Sequence, residues 1–459
     1  MHNYNNPDQN PIFNIGTSDI PINELKETEG DNIEEKIKWK ANNDFWRLYN
    51  KYDKNSWQRY ALNEERSTIF VNDKEMNFSH DIQAIIRIIT DYEMNDNSQT
   101  TTENYENAKR KYSQYVQALD DGDWKAYTSY KIKNLTETKN SSLTLEEDIK
   151  GINLDIDAYQ MRLDHNIVYG NDIPNQYIER YKEEAYHFIY DKDRNEAYYK
   201  ECKARSELAK YAIVNEIKQD ISPEKFNLIW DNQIDARISF IRTFRHFDLI
   251  IVIIAIYIST TTLTEETNKR TIKSLLTKPH KRRTILISKI LACVITIIIT
   301  MLFLIVAQYI VGGITFGFDS YGLNYIGYDY NNEQIVNMNL FSYVLLVAAS
   351  KLPIYIIIIL FCIFMGVINN HTAMTMILTL IIFLICSTAI AEWSKVEELG
   401  NLTKYLITNN WDFSTYLFGQ TSEIVGINLG FSIFIYLLYT ILLLTMTIYK
   451  FNKKEINNV

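Results

Sequence analysis

Hydrophobic and polar positions follow two different regimes along this chain. Up to about residue 245 apolar side chains recur at helical spacing among many polar ones, and beyond it they come in long blocks. In the first regime Tyr105, Ala108, Tyr112, Tyr115 and Leu119 lie three and four residues apart, the repeat of one helix face. Thr144-Leu145-Glu146-Glu147 has the form of a capping box, in which hydroxyl and carboxylate each satisfy a free backbone N–H. The helix it opens carries the stripe Leu145, Ile149, Ile152, Ile156, Tyr159 and Leu163. After a break at 169–174, Ile178, Tyr181, Ala185 and Phe188 resume the spacing. Ser222-Pro223 reads as N-cap and first position of a last helix. Its stripe (Ile229, Ile234, Ile238, Ile241) meets no breaker, which predicts one long helix from Pro223 into the first apolar block. Such stripes predict packed antiparallel helices with the tyrosines in their core. Residues 1–34 lack periodicity, are rich in Asn, Asp and Pro, and read as a disordered tail.

The second regime contains five runs long enough to cross a bilayer, which needs about 20 apolar residues in helix. They cover about 247–263, 290–311, 340–368, 373–391 and 429–449, the third interrupted by Lys351 and Pro353. The expected fold is therefore all-α: a polytopic membrane protein with five transmembrane helices in 246–459. In front of them stands a helical, coiled-coil-like domain over 35–245. Lysine and arginine between spans orient the chain. The link 264–289 holds Lys269, Arg270, Lys273, Lys278, Lys281, Arg282, Arg283 and Lys289, and belongs in the cytoplasm. Loop 312–339 has three acidic residues and no Lys or Arg, and loop 392–428 is mainly acidic; both belong outside. All five spans then alternate. Residues 1–245 lie outside the cell membrane and the tail with Lys450, Lys453 and Lys454 lies inside.

Charge sharpens this division. The formal net charge of −9 resolves into −12 over residues 1–250 and +3 over 251–459. A nucleic-acid binder is excluded, because no broad basic excess exists to neutralise phosphates. Four cysteines are too few for a disulfide-stapled scaffold. None of the fifteen glycines precedes a lysine, so the chain has no Walker A loop, and its seven histidines show no zinc-binding spacing. Nothing before residue 245 qualifies as a signal peptide or span, so an external first half predicts a further span upstream.

The link between the first two spans carries the candidate chemistry. Glu265 and Glu266 precede a short amphipathic helix with Ile272, Leu275 and Leu276 on one face. Pro279 ends it, and basic residues anchor the next span at the anionic leaflet. The residue order resembles the cytoplasmic segment of ABC-transporter permeases of the ABC-2 class: acidic pair, Thr-hydrophobic-Lys, Leu-Leu, Pro, Arg, then Lys opening the next span. Asn410-Trp411-Asp412 is similar to that family's Asn-Trp-Asp element. Arg162-Leu163-Asp164 with Tyr169-Gly170-Asn171-Asp172 is similar to the ectodomain hairpin of its Gram-positive members, and Tyr449 to Ile456 to its tail. The resemblance covers about residues 100–459.

The resemblance implies a permease subunit of an ATP-driven exporter, with no enzyme activity or cofactor of its own. It would move a peptide, antibiotic or lipid-like cargo as a homo- or heterodimer with a separate ATP-binding subunit, which holds ATP and Mg. Glu265, Glu266, Thr271, Lys273, Leu275, Leu276, Pro279 and Arg282 would form the segment that docks on that subunit. Two departures stand out. Arg270 replaces the family's Gly, and the family's first span, ahead of the ectodomain, is absent. Asp248 and Lys351 are candidates for the cargo path, since ionisable groups in spans are functional by default, although both read as lying at span edges, where snorkelling suffices. A membrane-anchored sensor or immunity protein and an inactive truncated permease are the alternative readings.

Overall fold

The computed structural model describes residues 33–64, 68–71, 74–77, 82–95, 98–141, 144–191, 196–221, 228–229, 235–268, 281–369, 371–394, 397–422, 424 and 426–453. They are mostly helical and fall into two units, Met1–Asn232 and Gln233–Val459.

The first unit holds α1 (Ile33–Asn50), α2 (Trp57–Glu64), α3 (Ile82–Met94), α4 (Thr102–Asp120), α5 (Trp124–Lys139), α6 (Glu146–Asp164), α7 (Ile173–Tyr190) and α8 (Glu196–Val214). Between α2 and α3 an antiparallel hairpin pairs β1 (Thr68–Val71) with β2 (Lys74–Asn77). From α3 onward, helices adjacent in sequence pack on each other. Thr101, Asp123 and Asp172 start α4, α5 and α7 by accepting the amides of Asn104, Ala126 and Asn175. The tyrosines are core residues: Tyr49, Tyr115, Tyr127, Tyr177 and Tyr186 are fully buried.

Two expectations fail in α6. The capping box does not form, because the Thr144 hydroxyl donates to the Thr138 carbonyl at 2.5 Å and Leu145 stands at the N-cap without a side-chain bond. The buried face is Leu154, Asp155, Ala158, Tyr159, Met161 and Arg162, while Leu145 is exposed. The helix turns its polar residues inward because each has a partner there. Asp155 takes Lys182 at 2.8 Å and the Tyr186 hydroxyl at 2.7 Å, and Arg162 pairs with Glu64.

The second unit opens with α9 (Ala236–Ile241), capped by Asp235, and after a turn at Arg242 continues as α10 (Thr243–Asn268). The uninterrupted helix expected from Pro223 is not found: Leu228, Ile229 and Asp235 are non-helical, and Pro223 lies outside the described residues. There follow α11 (Arg282–Phe316), the hairpin β3 (Tyr325–Asp329) with β4 (Gln334–Met338), and α12 (Leu340–Ile368). Next come α13 (Thr372–Leu380), the π-helical stretch Ile381–Cys386, α14 (Ser387–Ser394), α15 (Glu397–Thr403) and α16 (Leu429–Lys453).

Among the described residues, five helices are long and apolar enough to cross a membrane: Ala236–Thr264, Arg282–Phe316, Leu340–Ile368, Thr372–Ser394 and Leu429–Lys453. The third runs unbroken through Lys351 and Pro353. It is also the most enclosed, burying Tyr343, Val347, Tyr355, Ile359 and Ile363, whereas Leu291, Phe303 and Val306 of α11 and Phe434 and Ile441 of α16 point outward. A helix apolar all round belongs in the centre of a bundle, and outward apolar faces suit hydrocarbon. The β3–β4 hairpin lies in a stretch read from sequence as a plain loop. Its turn closes because Asp329 accepts the amides of Asn331 and Asn332.

Candidate functional site

The ends of the bundle are identified by polar ties. Thr372 meets Thr264 at 2.7 Å, joining the start of α13 to the end of α10. Lys289 donates to the Thr262 carbonyl at 2.8 Å, and Arg282 donates to the Asn452 carbonyl at 3.0 Å. The end of α10, the starts of α11 and α13 and the end of α16 therefore share one end of the bundle. The short turn after Ile368 adds the end of α12. The 264–289 segment leaves and re-enters at this end. Glu265 and Glu266 stand in the last turns of α10 and Arg282 begins α11. Thr271, Lys273, Leu275, Leu276 and Pro279 lie outside the described residues.

At the opposite end the hairpin and the segment between α15 and α16 are layered over the helices. Tyr325 of β3 stacks on Tyr343 of α12 at 3.5 Å between centroids, with the Phe418 ring alongside at 5.9 Å. Phe418 sits in the left-handed backbone region (φ 57°), followed by Gly419 at φ 74°. The kink lets the Phe418 carbonyl accept the Tyr330 amide at 2.8 Å, tying the segment to the hairpin.

The same segment also dips into the bundle. Ile407 and Trp411 pack against a buried cluster that includes Ile357 and Leu360 of α12 and Leu443 of α16. Trp411 stacks on Phe383, in the π-helical stretch midway along its span, at 5.4 Å. Non-helical backbone packed among apolar helices requires satisfaction of its polar groups by protein. Buried Asn410 supplies it: its amide donates to the carbonyls of Lys404 and Leu406 at 2.7 and 2.8 Å, and its oxygen accepts the Ser432 hydroxyl.

Next to this backbone lies an ion cluster. Lys351 Nζ is 3.1 Å from Asp412 Oδ2 and 3.4 Å from Asp248 Oδ2. The Tyr355 hydroxyl donates to Asp248 Oδ1 at 2.6 Å, and Ser414 donates its amide (3.0 Å) and hydroxyl (2.5 Å) to Asp412 Oδ1. The two sequence candidates, Asp248 and Lys351, are thus brought together. Lys351 lies eleven residues into a 29-residue helix, about 17 Å from its start at 1.5 Å per residue. Asp248 stands in the second turn of α10, just after Arg245 and His246. Each side chain bonds within the cluster. Sequence reasoning missed Asp412 and Tyr355 as their partners. The available signal was the lysine itself, since a cation within a span demands a carboxylate, and Asp412 was the acidic residue of the one loop motif singled out.

Among the described residues no group of three or more His, Cys, Asp or Glu is placed to hold a metal. Residues 215–457 match a family described as a protein of unknown function (DUF2705). No curated protein and no solved structure matches the chain.

Proposed function

The chain belongs to the DUF2705 family, and from its architecture we propose that it is the membrane-spanning permease subunit of an ATP-driven exporter of the ABC-2 class. The observation that carries the reading is the gathering of helix ends around the 264–289 segment. That segment, with eight Lys and Arg and the order Glu265-Glu266, Thr271, Lys273, Leu275-Leu276, Pro279, Arg282, emerges from the same bundle end as α16. An ATP-binding subunit seated there would act on α10 and α11 through the segment, and on α16 through the Arg282–Asn452 tie.

The basic end is then cytoplasmic, and the helical unit before α9 is an extracytoplasmic domain. The protein acts as a homo- or heterodimer in the cell membrane, and ATP and Mg are bound by the partner chain. The ion cluster and the irregular segment packed into the bundle also exceed what an anchor for a sensor domain needs, because both are costly in a bilayer.

Co-purification with an ATP-binding subunit tests the proposal. The native chain is expected to retain that subunit, and Leu275→Asp combined with Leu276→Asp to lose it. Undiminished retention by the double variant removes the docking segment and the argument built on it. Cysteines placed at Lys278 and Asn332 are expected to react with a membrane-impermeant thiol reagent from the inner and outer side respectively. Reaction of Lys278→Cys in intact cells inverts the topology.

A further inference from the structure

We propose that Arg237 anchors a phospholipid at the bundle end opposite the 264–289 segment, by holding the phosphate group of its headgroup. The Arg237 side chain is 1 % exposed, and its Nε and Nη2 atoms are both buried without a hydrogen-bond partner among the described residues. Those two nitrogens form the side-on fork with which arginine grips a phosphate through two parallel bonds. Asp235 does not fill it. Its Oδ2 stands 4.0 Å from Nε, too far for a hydrogen bond, while its Oδ1 accepts the Ile238 amide at 2.6 Å. Water does not fill it either, since both atoms are buried, and an unpaired buried donor carries the full cost of its desolvation. An anion with two oxygens side by side is the missing partner.

The place of Arg237 in the fold says which anion. It is the second residue of the span Ala236–Thr264, whose 29 residues measure about 40 Å and overrun a hydrocarbon core of about 30 Å, so the ends of the span lie at headgroup height. α9 is seated on the last turns of α11 and the turn after it. Gln308 donates to the Ser239 hydroxyl at 2.6 Å, the Arg237 amide donates to the Ser320 hydroxyl at 3.2 Å, and a Cβ on Gly312 would stand 3.7 Å from the Ala236 carbonyl oxygen. Phe240 makes ring contacts with Tyr309, Tyr321 and Phe341, an aromatic group of the kind found at a membrane–water boundary. Nearby in α11 and just beyond it, Val311, Ile314 and Phe318 are exposed, a surface for acyl chains close to a fork for a phosphate. Charge agrees. From Asp235 to His246 the chain carries Arg237, Arg242 and Arg245 against one acid, which favours a headgroup of net negative charge. Rotation about the long Arg237 side chain suffices to meet a phosphate at that height, as arginines at span ends do.

The inference uses the membrane-spanning helices and not the permease reading, so it stands or falls apart from any ATP-binding subunit. Its test is native mass spectrometry of the purified full-length chain in an uncharged detergent, with dioleoylphosphatidylglycerol, dioleoylglycerol and inorganic phosphate added in turn. The native chain is expected to hold phosphatidylglycerol at least about tenfold tighter than dioleoylglycerol, which lacks the phosphate. Excess inorganic phosphate should leave that lipid bound. Arg237→Gln, which keeps a polar side chain but not the fork, should lose one tightly bound phosphatidylglycerol, and Arg237→Lys should hold it with intermediate affinity. Arg283→Gln, at the other end of the bundle, should keep it. Equal binding of phosphatidylglycerol and dioleoylglycerol by the native chain overturns the proposal. Displacement by inorganic phosphate means that the fork takes a free anion, and overturns the lipid. An unchanged number of bound lipids in Arg237→Gln, or a loss confined to Arg283→Gln, places the lipid elsewhere and overturns it as well. Where Arg237→Gln fails to fold, Arg237→Lys decides the point, and undiminished affinity in that variant counts against the proposal.

Discussion

Replacing Arg162 by alanine should unfold much of the first unit, and the structure allows the size of the effect to be worked out. The side chain is fully buried in α6. One arm of its guanidinium pairs with Glu64 of α2. The other donates to Asn175 of α7 at 2.5 Å and to the Ile167 carbonyl at 3.3 Å, and the plane lies 3.9 Å from the Tyr169 ring centroid. Removing one member of a buried ion pair costs about 3–5 kcal/mol. The lost contact with Tyr169 adds about 1–2 kcal/mol, and the two hydrogen bonds about 1 kcal/mol each before overlap is allowed for. Because these contributions overlap, a total near 5 kcal/mol is expected, a large share of the stability of an ordinary domain. Lysine keeps the charge but not the fork, so Arg162→Lys should recover about half of the loss. Urea unfolding of the full-length chain in nanodiscs, followed by pulse proteolysis of the first unit, measures both. The double variant Arg162→Ala with Glu64→Gln should be less destabilised than Arg162→Ala alone, since it leaves no carboxylate behind. A loss below 1 kcal/mol for Arg162→Ala, or strict additivity in the double variant, refutes the account of Arg162 as the residue joining α2, α6 and α7.

Two further outcomes follow from the same physical chemistry. Burial, reinforced by the Glu64 carboxylate and only partly offset by Arg162, pushes the Glu179 carboxyl up to about 8. The folded unit then keeps a proton that the unfolded chain has released above about pH 4.5, so stability falls as pH rises from about 5 to 8, by at most about 1.4 kcal/mol per unit. Unfolding midpoints between pH 5 and 9 should show this decline, Glu179→Gln should flatten it, and an unchanged slope in that variant assigns the dependence to another group. Gly419 has φ 74°, and a Cβ there would come within 2.6–2.8 Å of Asn331, including its backbone nitrogen. Gly419→Ala should therefore loosen the tie between Phe418 and the β3–β4 hairpin, at a cost of about 1–3 kcal/mol. Faster hydrogen exchange at the Tyr330 amide, with α12 unchanged, is the expected sign, and native-like protection there counts against it.

The five apolar helices were legible in the chain because a bilayer imposes a length and a composition that a run of residues either meets or does not. The tyrosine stripe of α4 was legible for a related reason, since a period of three and four is a local property of a helix. Other features depend on partners far away in the chain and could not be read locally. Arg162 and Asp155 face inward against the apolar stripe of α6 because Glu64, 98 residues earlier, and Lys182 on α7 receive them. Lys351 can be held within a long apolar helix because Asp248 and Asp412, 103 and 61 residues away, converge on it. Asn410 holds irregular backbone inside the bundle by bonding to it, which turned an expected surface loop into a part of the core. Local pattern could say which segments avoid water. Which charges may accompany them was decided by tertiary pairing, because a buried charge is tolerated only where a counter-charge and hydrogen-bond donors meet it in space.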